Sequence, residues 1–199
     1  MFSYSGVFVA LEGIDGSGKT TQIKRVASVL KEKGIEVYVT SEPSKGRLGP
    51  VLRQYLSDKT SHFATDALLF AADRVEHFHH EILPQLQQGK IVITDRYKTS
   101  SIIYQGSTHL SDEWIRMINN QVPDADVTFY FRISADVAMD RLSDADRSHL
   151  EKFETVEKLQ QLLSRYEMVE IPNRYNLDAE KSEDLITQDM AEIILDHLS

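Results

Sequence analysis

Cysteine is absent from this 199-residue chain, which excludes disulfides, thiolate zinc sites and a cysteine nucleophile. Positive charge is scarce. Against 31 Asp and Glu there are 22 Lys and Arg, a net charge of -9, so duplex DNA or RNA is not an expected partner. An anionic ligand would need a local cationic site that overcomes this unfavourable field. No apolar run reaches membrane-spanning length. The opening MFSYSGVFVALEG has no basic segment ahead of a long apolar stretch, so a cytoplasmic protein without membrane contact is expected. Repeats, low-complexity tracts and Pro/Ser/Gly-rich linkers are also missing, and residues 1–199 read as one domain. What is present is 41% hydrophobic and 27% charged residues, the balance of a globular chain with a real core.

Short β-rich runs alternate with longer helical patterns. The strand candidates are VFVAL (7–11), IEVYV (35–39), KIVIT (90–94), VTFYF (127–131) and RYNLD (174–178). Ile23, Val26, Ala27 and Leu30 recur at i, i+3, i+4 and i+7, predicting a helix that Gly34 stops. A second helix is expected from about residue 65 to residue 88, with Leu68, Ala72, Val75, Ile82 and Leu86 as its core stripe. Gly89 should end it and Pro84 should kink or break its last turn. This βαβα rhythm predicts an α/β fold, a parallel sheet covered by helices on both faces.

Between the first strand and the first helix stands GIDGSGKT, Gly13 to Thr20, the G-x-x-x-x-G-K-T pattern of a P-loop. Glycines let the backbone turn left-handed and gather successive N–H groups around a phosphate. The following helix aims its positive dipole end at the same anion. Lys19 would reach the β and γ phosphates as a point charge, and Thr20 would place its hydroxyl on Mg²⁺. Gly13, Ile14, Asp15, Gly16, Ser17, Gly18, Lys19, Thr20 and Thr21 are therefore the candidates for holding the triphosphate of ATP. With glycine near 7% of residues, chance alone would give the pattern in roughly one chain of this length in a hundred. The plainer alternative is a glycine-rich turn with an exposed lysine. A dinucleotide fingerprint fails, because Thr21 stands where its third glycine belongs.

Asp95 directly follows an apolar strand, where a carboxylate could hold Mg²⁺ at the carboxyl edge of a parallel sheet. Capping of the next helix is the competing role for it. Arg96 beside it suits two anions being brought together.

Six segments now stand in order: EGIDGSGKTTQ, TSEPSKGRLGPVLRQYL, LLFAADRVEH, DRYKTSSIIYQG, PDADVTFYF and EKFE. Together they resemble the thymidylate kinases, the nucleoside monophosphate kinases that phosphorylate dTMP with ATP, over nearly the whole chain. The resemblance implies a three-layer P-loop NTPase fold with a five-stranded parallel sheet flanked by helices, a homodimer, and a lid over the ATP phosphates, here about residues 141–154. It also implies roles. Phe70 would stack on thymine and Arg74 reach the base. Arg96 would grip the dTMP phosphate. Tyr104 would pack at the sugar's 2′ edge, with Gln105 and Ser101 nearby. Asp15 would lie near the 3′-hydroxyl and the acceptor phosphate. Glu42 and Pro43 would form a site loop, and Arg53 would be a further phosphate-side arginine. Arg147, with Arg141, would be the lid's charge donor.

Departures from the family pattern narrow these roles. Gly16 stands where some members carry a basic residue, which moves that charge to the lid. Ser41 replaces an arginine found in many relatives, leaving Arg47 or Arg53 to supply its phosphate contact. Arg132 stands where an Asp is more usual. On an ideal helix Phe70 and Arg74 are i, i+4 neighbours, about 200° from Leu68 and Ala72, so an aromatic and an arginine share a face off the expected core stripe. The alternative for Phe70 is packing against a neighbouring helix or a dimer partner.

Three further features complete the reading. His77 and His80 have the i, i+3 spacing of a metal pair, but no third ligand stands near, which favours surface or dimer-interface histidines. FYF (129–131) reads as buried strand. DAEKSED (178–184) reads as a solvated turn and helix start whose first half lies near the adenine. Two other functions stay open. One is a kinase of another nucleotide or a deoxynucleoside, the latter with Glu12 as its base. The other is a regulatory P-loop NTPase, although no N-K-x-D guanine motif is present.

Overall fold

The computed structural model describes residues 2–57, 62–106, 109–144 and 155–198. Five strands form one all-parallel sheet in the order β2-β3-β1-β4-β5: β1 (Val7–Glu12), β2 (Val37–Ser41), β3 (Ile91–Asp95), β4 (Val127–Arg132) and β5 (Arg174–Asp178). The helices that join and cover them are α1 (Lys19–Glu32), α2 (Leu48–Leu56), α3 (Phe63–His77), α4 (Leu83–Gln87), α5 (Lys98–Gln105), α6 (Asp112–Ile118), α7 (Ala135–Asp144), α8 (Val156–Met168) and α9 (Glu183–Asp196). No described helix is long and apolar enough to cross a membrane.

Strand β1 is buried along its whole length. Successive side chains point to opposite faces of the sheet. Val7, Val9 and Leu11 join one core with Ile91, Ile93 and Val127, while Phe8 and Ala10 join the other with Phe78, Ile82 and Leu86. Because β1 lies between β3 and β4, the strand order reverses at its carboxyl end, where open α/β sheets form their ligand crevice. The register sets Leu11 beside Asp95, so the turn after β1 and the end of β3 emerge side by side.

Two expectations shift. Strand β2 begins at Val37 rather than Ile35, because the Ile35 N–H still donates to Leu30 O and closes the end of α1. The second helix is the larger correction. It runs as α3, then a π turn over Phe78–Ile82, then α4. Pro84 has no N–H to donate, and its ring would crowd the carbonyl one turn back. The widened turn lies just before it, with Leu83 N–H reaching Phe78 O.

The expected stripe also fails in its first half. Leu68 is 50% exposed and Ala72 is exposed as well. The buried line is Ala67, Ala71, Arg74, Phe78 and Ile82, with Asp73 and His77 beside it. Charged groups occupy the inward face of α3 because partners distant in sequence satisfy them, so hydrophobic period alone pointed outward.

Candidate active site

The turn after β1 wraps against α1, whose N-cap Gly18 is left-handed at φ 89. Gly16 is left-handed too, at φ 78, and a Cβ there would lie 2.5 Å from Ala138 O of α7. The close approach of α7 and the left-handed backbone leave no room for a side chain at this position. The Lys19 ammonium curls over the loop, donating to Gly13 O at 3.0 Å and Ile14 O at 2.9 Å. Burial, then the nearby Arg96 guanidinium, lowers its pKa to about 8 against the pull of Asp95, Asp15 and Glu12.

Thr20 Oγ1 donates to Asp95 Oδ2 at 3.2 Å across the gap between α1 and β3. Asp95 Oδ1 is buried with no hydrogen-bond partner among the described residues. Helix α5 starts three residues later at Lys98 with no side-chain cap, so the capping role for Asp95 falls away. A hydroxyl and an orphaned carboxylate oxygen side by side suit a hard oxygen-seeking cation such as Mg²⁺.

Arg96 holds a left-handed backbone at φ 71, which is uncommon for a residue with a side chain. Its N–H donates to Leu11 O at 2.9 Å and its carbonyl accepts from the Thr94 hydroxyl at 3.0 Å. That turn aims the guanidinium at the loop. It reaches Asp15 Oδ1 at 2.7 Å, Ser100 Oγ at 3.2 Å and Gly13 O at 3.3 Å, and lies 4.8 Å from the centre of the Tyr104 ring.

Two cavities open onto the Arg96–Asp15 pair. One, of ≈ 420 Å³, is lined by the loop from Asp15 to Thr21, Asp95, Arg141, Ala179, Lys181 and Ile186. Here Arg141 donates to Ala179 O at 3.0 Å, and the turn after β5 lines the same cavity as the phosphate loop. The other, of ≈ 490 Å³, is lined by Glu42, Pro43, Arg53, Phe70, Arg74, Ser101, Tyr104 and Gln105. Both fall within the range of small-molecule sites. Gln105 Oε1 is buried in the second without a hydrogen-bond partner among the described residues. Arg53 braces the Pro43 and Ser44 carbonyls at 2.6 and 2.8 Å, and of the two arginines that could replace the charge missing at Ser41 it is the one lining this cavity. Arg147 and residues 145–154 of the expected lid lie outside the described residues.

Arg74 stands in this wall with its donors turned inward. It bonds Glu42 Oε2 through Nε at 2.8 Å, Ser101 Oγ at 2.9 Å, Tyr97 O at 3.2 Å and Asn119 Oδ1. It is 1% exposed. Glu42 also faces His77 Nδ1 at 3.3 Å. His77 is therefore an interior residue and not a surface or interface histidine. His80 is exposed and meets Glu76 at 3.6 Å. One is buried and the other exposed, and among the described residues no group of three or more His, Asp and Glu is placed to hold a metal ion.

Glu12, the candidate base for a nucleoside acceptor, has both oxygens engaged in this arrangement. Oε1 accepts from Tyr97 N–H at 2.9 Å and Ser100 N–H at 3.1 Å, while Oε2 accepts from Ser100 Oγ at 2.5 Å and Tyr166 Oη at 3.2 Å. It is fully buried, and both oxygens are committed. Sequence reading missed Asn119, Asp73, Tyr166 and the part played by His77. The one available signal was the cluster Asp73, Arg74 and His77 on a helix otherwise rich in apolar residues.

The sequence model of the family described as Thymidylate kinase matches residues 11–190. A probable thymidylate kinase of Pyrobaculum calidifontis is 47% identical over 161 residues, 80% of each chain. One from Pyrobaculum aerophilum is 39% identical over 189 residues, 94% of this chain and 95% of that one. The thymidylate kinase of Bifidobacterium longum is 42% identical over 154 residues, 71% of this chain and 74% of its own.

Proposed function

The chain belongs to the thymidylate kinase family, and we propose that it transfers the γ-phosphoryl group of ATP to dTMP where its two cavities meet. The observation that carries this is the shared wall. Arg96 and Asp15 line both cavities, one floored by the phosphate loop and the other by Phe70, Tyr104 and Gln105. A donor and an acceptor phosphate would therefore face each other across one cation.

The chemistry needs no general base. A phosphate monoester has a second pKa near 6, so dTMP arrives largely as a dianion, in keeping with the sealed state of Glu12. One of its phosphate oxygens forms a bond to the γ-phosphorus while the bond to the β,γ-bridging oxygen breaks, and ADP leaves with that electron pair. The protein's task is to hold two polyanions in line and offset their repulsion. Lys19 and Arg96 supply positive charge on either side of the transferred group, and Arg141 adds charge at the mouth. Arg53 and Arg96 would hold the acceptor phosphate, Phe70 would stack on the base, and Gln105 and Ser101 would stand at its edge. Glu42 and Pro43 shape that wall. Thr20 and Asp95 would hold Mg²⁺, which when bound supplies charge screening between the β and γ phosphates.

The test is formation of nucleoside diphosphate from ATP across a panel of monophosphates. The Tyr104 ring, set beside Arg96 in the acceptor wall, would collide with a 2′-hydroxyl. One methyl group is worth about 1–3 kcal/mol, or 10–200-fold. We therefore expect dTMP first, dUMP measurable but weaker by such a factor, and UMP far behind. Equal rates with UMP and dTMP would remove Tyr104 as the sugar filter. ATP hydrolysis that ignores every acceptor would favour a regulatory NTPase instead.

The homodimer belongs to the same proposal. Leu68 is 50% exposed on the outer face of α3, and Ala72 is exposed one turn on, where a second copy could cover them. Leu68→Glu should then shift the sedimenting species from dimer to monomer, and an unchanged sedimentation coefficient would move the interface elsewhere. The proposed setting is the cytoplasm, with ATP and dTMP as partners and no role for nucleic acid or membrane.

A further inference from the structure

Helix α8 touches both halves of the site without lining either of its cavities. Through Arg165 it grips the end of α5, the helix carrying Ser100, Ser101 and Tyr104. Arg165 donates to Ile102 O and Gly106 O, each at 2.8 Å, and pairs with Asp112 at 2.8 Å. The next residue, Tyr166, reaches the phosphate loop. Its side chain is fully buried and its ring stacks on Tyr130 with centroids 4.9 Å apart.

The Tyr166 hydroxyl accepts the Gly13 N–H at 3.2 Å and donates to Glu12 Oε2 at 3.2 Å. Each partner leads to one side of the reaction. Gly13 O receives Lys19 Nζ at 3.0 Å and Arg96 Nη1 at 3.3 Å. Glu12 takes the N–H of Tyr97, the residue that leaves the left-handed Arg96 turn, and the N–H and hydroxyl of Ser100. Ser100 Oγ in turn touches Arg96. One phenol thus ties the carbonyl that seats both cations to the carboxylate that fixes the Arg96 turn.

We infer that Tyr166 is a positioning residue for the transfer, its hydroxyl setting the spacing between Lys19 and Arg96 through Gly13 and Glu12. The inference rests on the kinase reading above. It differs from a purely stabilising role for a satisfied buried phenol, which would lower the melting point and leave turnover of the folded enzyme alone. Displacing a reacting group by about 1 Å from afar can cost on the order of 10²-fold in rate.

The test is steady-state kinetics on the full chain with ATP and dTMP, with thermal midpoints measured on the same samples. Tyr166→Phe is expected to lower kcat about 10–100-fold, with both KM values within about threefold and the enzyme folded at the assay temperature. Glu12→Gln, which turns one acceptor of the same carboxylate into a donor, should lower kcat as well. The double variant should be no slower than the slower single, because both cut one network. Tyr130→Phe removes a hydroxyl from the other ring of the stack and should leave kcat within about twofold. A folded Tyr166→Phe with wild-type kcat overturns the inference, as does a fall in rate that only tracks the unfolded fraction. If Tyr166→Phe does not fold, Glu12→Gln alone decides between the same two outcomes. Wild-type enzyme that fails to phosphorylate dTMP would instead refute the function from which the inference starts.

Discussion

Lys19→Ala should lower kcat by at least about 10²–10³-fold, the usual cost of losing one positioned charge at a developing anion. Its thermal midpoint should move only a few degrees, because the strand and helix flanking the loop keep their contacts. Lys19 is 5% exposed and its ammonium rests on two loop carbonyls. Burial lowers its pKa to about 8 from an ordinary value of 10.5. The sign is that of a cation losing its proton early. In the free enzyme the charge is near full a unit or more below that value, half lost at about pH 8, and fades further above it. Bound triphosphate adds anions around Nζ and holds the proton to higher pH. Hence kcat/KM for ATP should fall on the alkaline side of about pH 8, while kcat stays level further. Rates measured between about pH 6.5 and 9.5 check both limbs, with the lower limit near the pH where the acceptor monoester is itself half ionised. A Lys19→Ala enzyme with near-normal turnover would remove the phosphate loop from the reaction.

The parts of the site that were legible in sequence are those whose chemistry is local. A phosphate cradle needs its glycines, lysine and threonine within eight consecutive residues, and Gly13 to Thr20 supply them. Asp95 and Thr20 are 75 residues apart, yet the position of each was readable because a carboxylate at the end of an apolar strand falls at the sheet's crevice edge. The three central strands, β3, β1 and β4, were legible for the same reason, since a central parallel strand must be apolar on both faces, whereas the edge strands β2 and β5 are only partly buried and carry a weaker apolar signal.

What was not legible depends on partners far along the chain. Periodicity on α3 identified a stripe but not which way it faced. Arg74 is buried because Glu42 and Asn119, 32 and 45 residues away, meet it there. Spacing matched His77 with His80, whereas the contacts that matter for His77 come from β2 and the loop after it. Glu12 looked available as a base because its four donors come from Tyr97, Ser100 and Tyr166, and no local pattern announces them. Local patterns show what a segment can do. The tertiary partners of its polar groups decide which face it turns inward.

Arg74→Met tests that last point with the largest expected effect on stability. Removing one partner of a buried ion pair costs about 3–5 kcal/mol, because the other is left charged and unsolvated. For a domain of this size that is a fall of roughly 6–20 °C in Tm. Glu42→Gln should also destabilise, since Arg74 would then be the uncompensated charge. The double variant, with neither charge, should recover much of the loss. His77 makes the effect pH-dependent. Burial opposes its charge, but the bond to Glu42 and the carboxylates of Glu42, Glu81 and Asp73 prevail and raise its pKa above 6.5. The Thr40 hydroxyl donates to Glu81 at 2.6 Å, so its oxygen is left to accept from His77 Nε2 at 2.7 Å while Nδ1 faces Glu42. Both ring nitrogens then donate, as in an imidazolium. A raised folded-state pKa gives stability that is complete below about pH 6.5 and disappears as pH rises through the folded value. In Arg74→Met the imidazolium is, among the described residues, the one cation left in contact with Glu42, so Tm should fall more steeply across that window than in wild type, and Glu42→Gln should flatten it. Melting curves across that range read all three outcomes. An Arg74→Met midpoint within about 2 °C of wild type would show that Arg74 is held for the ligand and not for the fold.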